Sequence, residues 1–140
     1  MGMADTSASA RASHEGVGPA ILLVDDEAEI LSEYQELLEL EGFSSIATCN
    51  PNDAAALVRA YPSICLIVTD LKMAGIDGAR LIDLLRRTFG TRRQLSFIVM
   101  TGDASPGATR QLGDVPVILK PIDLDHFITL LRAALTRPAP

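Results

Sequence analysis

The chain has 140 residues, 48% of them hydrophobic and 21% charged, which is enough for one ordinary domain and too short for a kinase or a polymerase. Eighteen acidic against twelve basic side chains give a formal charge of -6, which disfavours direct nucleic-acid binding, since neutralising phosphates takes clustered Lys and Arg. No apolar run, Ala20 to Val24 and Ile64 to Val68 among them, exceeds five residues, far below the roughly 20 that a membrane-spanning helix needs.

A soluble, cytoplasmic protein without membrane attachment is therefore expected. Cys49 and Cys65 stand in apolar surroundings without CxxC spacing, and both are expected as buried small hydrophobes in a reducing compartment.

In chain order, residues 1–19 are rich in Ala, Ser and Gly without an apolar run and are expected as a disordered tail. The start Met1-Gly2-Met3-Ala4-Asp5-Thr6 formally matches an acylation pattern that also recurs by chance. The domain itself is expected over 20–136, with 137–140 as a second tail.

Ala20–Val24, Phe43–Thr48, Ile64–Thr69, Phe97–Thr101 and Val115–Leu119 read as strands. The first, third and fourth are continuously apolar, as strands covered on both faces are. Ile30, Tyr34, Leu37 and Leu38 mark a first helix, and Leu124, Phe127, Ile128, Leu131 and Leu135 a last one, each with a single buried stripe. Asn50-Pro51 announces a second helix that Tyr61-Pro62 ends, and a third runs from Gly78 to Phe89. Strict alternation of strands and helices predicts a three-layer α/β domain on a five-stranded parallel sheet, with right-handed crossovers placing helices on both faces.

Ligands of such sheets gather beyond the carboxyl ends of the strands. There the chain puts Asp25-Asp26-Glu27 after the first strand, Asp70 after the third, Thr101-Gly102 after the fourth and Lys120-Pro121 after the fifth. Gathered in one pocket, Asp25, Asp26 and Asp70 would repel each other unless a cation joined them. Mg²⁺ suits a site with few carboxylates because it keeps several waters and shares its shell with phosphate. A carboxylate is also a known nucleophile for phosphoryl groups, and that chemistry needs positioning and charge neutralisation more than covalent help. The Lys120 ammonium and the Thr101 hydroxyl supply further partners for phosphoryl oxygens.

These residues resemble the response-regulator receiver domains of two-component signalling. The likeness is carried by Leu22-Leu23-Val24-Asp25-Asp26-Glu27, by Ile67 through Gly78 around Thr69-Asp70-Leu71-Lys72-Met73, by Met100-Thr101-Gly102 and by Lys120-Pro121, and it covers Ala20 to Leu135. It implies a doubly wound, flavodoxin-like fold with strand order 2-1-3-4-5. It further implies that Asp70 accepts a phosphoryl group from a sensor histidine kinase or a histidine phosphotransfer protein. Asp25, Asp26, Asp70 and the backbone carbonyl of Lys72 would bind Mg²⁺, and Thr101 would be the switch hydroxyl. Lys120 would pair the phosphoryl group and precede a cis proline bond at Pro121. Lys72 and Asp103 would modulate the lifetime of the phosphoryl group. The resemblance points to a stand-alone, single-domain regulator acting through an unknown downstream protein, with weak homodimerisation as a further expectation.

The chain departs from the family pattern in three places. Val117 stands where relatives place a switch aromatic, Ala74 where proline is frequent, and Thr101 to Lys120 is shorter than usual, with Pro106, Gly107, Gly113 and Pro116 inside it. A short fourth helix, Gly107 to Leu112, is expected there, in the most mobile ordered part of the domain (102–116).

Two alternatives within reach are a receiver used as a phosphorylation-independent docking domain and an aspartate-nucleophile phosphatase. Lys72 stands where the phosphatase pattern has its second acid, and no Gly-rich turn follows the first strand to cradle a dinucleotide. His14 and His126 read as tail and surface residues, and Arg86-Arg87 and Arg92-Arg93 as a solvated face.

Overall fold

The computed structural model describes residues 18–103 and 105–136. The acylation pattern at Gly2, His14, the tail 137–140 and all of the tail 1–19 but its last two residues lie outside that span. Gly18 and Pro19 are already tied down, their carbonyls accepting from the Ser44 and Ser63 hydroxyls at 3.3 and 2.6 Å.

Among the described residues, five strands and five α-helices alternate: β1 (Ile21–Val24), α1 (Ala28–Leu40), β2 (Ser45–Thr48), α2 (Ala54–Ala60), β3 (Leu66–Asp70), α3 (Gly78–Phe89), β4 (Ser96–Thr101), α4 (Pro106–Thr109), β5 (Val117–Leu119) and α5 (Leu124–Thr136). The strands form one parallel sheet in the order β2-β1-β3-β4-β5, the 2-1-3-4-5 arrangement expected above. Every residue of β1, and Leu66 through Thr69 of β3, is fully buried, which explains why these strands read as unbroken apolar runs.

Alternate side chains of the sheet enter two separate cores. Ile21, Leu23, Leu66, Val68, Ile98 and Met100 meet Leu31 and Leu38 of α1 and Phe127 and Leu131 of α5. Leu22, Val24, Ile67 and Val99 meet α2, α3 and Leu112 on the other side. Asp77 caps α3 by accepting from the Arg80 amide at 2.9 Å. Asn50 accepts from the Asn52 amide at 3.0 Å, but it caps a 3₁₀ turn at Pro51–Asp53 that leads into α2.

Several expectations are corrected. β5 is only Val117–Leu119: Pro116 has no N–H for the ladder, and Val115 instead lies buried in the loop before it. The fourth helix is four residues of α-helix followed by a 3₁₀ turn, Arg110–Leu112, ended by Gly113 at φ 60°. Cys49 is exposed, not buried, because it follows β2, the edge strand, at the sheet's rim; Cys65 is partly covered at the opposite end of β3.

The arginine group is a solvated face only in part: Arg86, Arg87 and Arg92 are exposed, whereas Arg93 is half-buried. Arg93 donates to the carbonyls of Val58, Tyr61, Pro62 and Ile64, tying the end of α2 and the entry to β3 to the entry of β4. Arg92 donates to the Thr88 and Phe89 carbonyls at the end of α3, and Arg86 lies 5.2 Å from the centre of the Phe97 ring.

Candidate functional site

The parallel register delivers the functional side chains to one rim. Val24 pairs with Thr69 and Asp70 with Met100, so Asp25 and Asp70 leave neighbouring strands in step and Thr101 follows one residue later on β4. Two backbone bonds hold the rim together: the Leu71 amide donates to the Met100 carbonyl at 2.9 Å, and the Lys120 amide to the Thr101 carbonyl at 2.8 Å. The Lys120-Pro121 bond is cis.

Asp25, Asp26 and Asp70 each offer a carboxylate oxygen, and the three lie within 4.8 Å of one another. Asp25 is fully buried, one of its oxygens accepting from the Glu27 amide at 3.0 Å and the other from the Lys120 ammonium at 3.3 Å. The same ammonium stands 3.3 Å from Asp70. One lysine thus faces three acids, a set of hard oxygen donors with a charge deficit, which fits a divalent cation of the Mg²⁺ type.

The titration behaviour follows from this geometry. Burial pushes the Asp70 carboxyl above its ordinary range and Asp25 adds to the rise, with Lys120 opposing it. Burial works against the Lys120 ammonium, yet Asp25 and Asp70 outweigh it and hold Lys120 above its usual value. The pocket therefore keeps its lysine charged and contains an acid that ionises at a cost.

Thr101 is 2% exposed, and its hydroxyl is engaged within its own loop. It donates to the Asp103 carbonyl at 3.2 Å and accepts from the Asp103 amide at 3.0 Å. Asp103 is held below the usual carboxylate range by the Ser105 backbone N–H and then by the Ser105 hydroxyl. Lys72 and Asp103 meet across the pocket mouth at 3.9 Å, both largely exposed, so their attraction is weak. Val117 is half-buried and packs into the core under α2 and α3, far smaller than an aromatic ring would be there.

Two further residues shape the site that its motifs did not single out. The Ala74 amide donates to the second oxygen of Asp26 at 3.1 Å, a bond that proline at this position could not make. Gly78 begins α3 against the end of β3: its amide donates to the Leu71 carbonyl at 2.7 Å, and a Cβ there would stand 2.5 Å from the Asp70 carbonyl oxygen. The third helix is expected to begin at Gly78, but this contact across the loop is not visible in the sequence.

Comparison with known proteins points the same way. Residues 21–132 match the family model of the response regulator receiver domain. The two-component response regulator PprB of Pseudomonas aeruginosa is 35% identical over 83 residues, 59% of this chain and 30% of that protein. The transcriptional regulatory protein CpxR of Escherichia coli is 32% identical over 120 residues, 84% of this chain and 49% of that protein. The chain thus spans about a third to a half of the length of these relatives. Among solved structures, a response regulator receiver protein from Pseudomonas putida superposes with a TM-score of 0.72 at 28% identity, covering 83% of this chain and 97% of that one. The signal receiver domain of a LuxO-type repressor from Vibrio parahaemolyticus, at 23% identity and a TM-score of 0.74, shares the fold over 86% of this chain and 92% of its own.

Proposed function

Because the chain belongs to the response regulator receiver domain family, we propose that it is a phosphorylation-controlled signalling module that accepts a phosphoryl group on Asp70 in a Mg²⁺-dependent step. The observation that carries this reading is the placement of the Asp70 carboxylate 3.3 Å from the Lys120 ammonium, within a trio of acids able to share one cation. The donor is a phosphohistidine on a sensor histidine kinase or a histidine phosphotransfer protein, the setting is the cytoplasm, and the output passes through a partner protein.

An oxygen of Asp70 attacks the phosphorus, the P–N bond breaks, and its electron pair leaves with the donor's imidazole nitrogen. Asp25, Asp26 and Asp70, with the backbone carbonyl of Lys72, would hold Mg²⁺, which supplies neutralisation of the phosphoryl oxygens. Lys120 pairs a phosphoryl oxygen as a point charge, replacing its present contact with the Asp70 carboxylate. Thr101 gives up its bond to the Asp103 carbonyl and donates to the phosphoryl group, drawing the start of the β4–α4 connection towards the pocket. Val117, too small to fill the space of a moving ring, leaves this displacement to the backbone. Lys72 and Asp103 close over the pocket and slow the water that would attack phospho-Asp70; a shorter lifetime in Lys72→Ala and Asp103→Ala is the expected result.

The test is phosphotransfer profiling from sensor kinases or phosphotransfer proteins, with and without Mg²⁺, on the parent and on Asp70→Asn. Labelling that needs both the metal and Asp70 is expected. Labelling that persists in Asp70→Asn would place the acceptor elsewhere, and no labelling from any donor or from acetyl phosphate would leave a phosphorylation-independent docking domain.

A further inference from the structure

A groove of about 410 Å³ runs between α3 and the Arg110–Leu112 turn that follows the short α4, and it includes none of the residues of the phosphoacceptor pocket. Its floor is apolar, with Ile82, Leu112 and Val115 at 3%, 5% and 8% exposure, and Leu84 on α3 lines it at 37% exposure. Its rim is cationic: Arg80, Arg86 and Arg87 line it with a single carboxylate, Asp83. This local excess of positive charge sits on a chain whose formal charge is -6.

The arginines are not equivalent. Arg87 is neutralised by Asp83 at 3.0 Å, one helical turn away. Among the described residues, neither Arg80 nor Arg86 forms an ion pair. Arg86 is restrained by its stacking over the Phe97 ring, so part of the entropy of fixing a long side chain is already spent before any ligand arrives. The neighbouring α4 has only four residues, and none of them lines the groove.

We propose that this groove is a docking site for an acidic, amphipathic segment of a partner protein, which seats an apolar side chain on the Ile82, Leu112 and Val115 floor and carboxylates against Arg80 and Arg86. Charge complementarity selects this occupant. Planar guanidiniums bind carboxylates in bidentate fashion, an apolar floor rewards a Leu-like or Phe-like anchor, and the acidic remainder of the surface, with four glutamates and no cation on α1, repels a polyanion large enough to spread beyond the groove. Leu40, 82% exposed between Glu39 and Glu41, gives another copy of this chain the same chemistry in a cruder form, so self-association is the competing occupant to be tested.

A random peptide display library is selected on the full chain and counter-selected on the Arg80→Glu/Arg86→Glu double variant, whose substituted side chains are both exposed. Arg80→Gln/Arg86→Gln serves as a second variant, and thermal melts confirm that both fold. Enriched peptides should combine Asp or Glu with a large apolar residue, bind the parent, lose affinity by about tenfold or more on both variants, and weaken in high salt. Because the groove and the phosphoacceptor pocket share no residue, Asp70→Asn should bind the same peptides, so this proposal and the phosphotransfer reading fail separately. Enrichment of basic or uncharged peptides, equal binding to the double variants, or no enrichment at all would overturn the proposal. So would a concentration-dependent dimer in sedimentation that Leu40→Glu abolishes, since the groove would then be occupied by another copy.

Discussion

The two faces of the sheet are covered by different means. On one face α1 and α5, thirteen residues each, lay down a continuous apolar stripe, with Leu31, Leu38, Phe127 and Leu131 all but inaccessible. On the other, α2 has seven residues and α4 four, and only α3 is a full-length helix. Guanidinium groups make up part of the difference there: Arg93 joins four carbonyls, and Arg59, Arg86 and Arg93 each lie over a phenylalanine ring. Short helices bury little surface of their own, so backbone carbonyls freed at their ends need partners, and arginine reaches several at once. The α1 and α5 face has one stacked arginine of its own, Arg132 over Phe43, and four glutamates along α1, whereas the other face carries three such stacks and the groove beside α3.

The sharpest way to break this contrast is to remove one buried side chain from each core, Phe127 from the first and Leu112 from the second. Phe127→Ala is expected to lower stability by about 3–5 kcal/mol, since α1 and α5 cannot collapse into the space. Leu112→Ala, at the thin end of the other face, should cost nearer about 2 kcal/mol. Chemical denaturation of both variants checks the order, and equal losses would dissolve the distinction between the faces.

Arg93→Ala tests the second half of the comparison. It leaves the Val58 and Ile64 carbonyls without their charged donor and should cost about 1.5–3 kcal/mol, whereas an exposed arginine of a solvated face would cost almost nothing. Gly78→Ala bears on the join between that face and the site. The added Cβ meets the Asp70 carbonyl, so a loss of about 1–3 kcal/mol is expected together with weaker Mg²⁺ binding by calorimetry; unchanged metal affinity would mean that the start of α3 does not position Asp70.

Hydrogen exchange sharpens the picture without a mutation. Amides of α4 and the Arg110–Leu112 turn are expected to exchange well before those around Phe127 and Leu131, because few buried contacts oppose their opening. The smallest effect concerns Tyr34, which packs against Phe127 with ring centroids 6.3 Å apart. Burial raises its phenol above the ordinary value of 10.0, with Asp25 and Asp70 adding to the rise against the opposing Lys120. The folded state then keeps a proton that the unfolded state has lost, so stability falls as pH rises from about 10 upward. Tyr34→Phe should make that alkaline decline shallower; an identical slope would show that Tyr34 is not its source.

Much of the candidate site could be read from the chain because each of its members stands at a strand's end. A continuous apolar run reports a strand buried on both faces, and the next residue is then obliged to sit at the rim, which is how Asp25, Asp70, Thr101 and Lys120 could be grouped without coordinates. The Ala74 amide on Asp26 joins residues 48 apart, and Arg93 reaches carbonyls 29 to 35 residues back. No local pattern encodes such pairs. The error at Cys49 has the same origin, since the apolar pair Ile46-Ala47 before it reads alike whether β2 is central or at the edge, and only the strand order decides.

Sequence alone determined the alternation of elements, the amphipathic stripes of the first and last helices and the set of carboxylates, hydroxyl and ammonium at the strand ends, because hydrophobic period and strand termination are properties of contiguous residues. Tertiary structure decided which cation meets which acid, which arginines hold the fold and which remain for a partner, and where α3 and the Arg110–Leu112 turn leave a groove between them. These depend on distances between segments far apart in the chain, and only the packed sheet sets those distances.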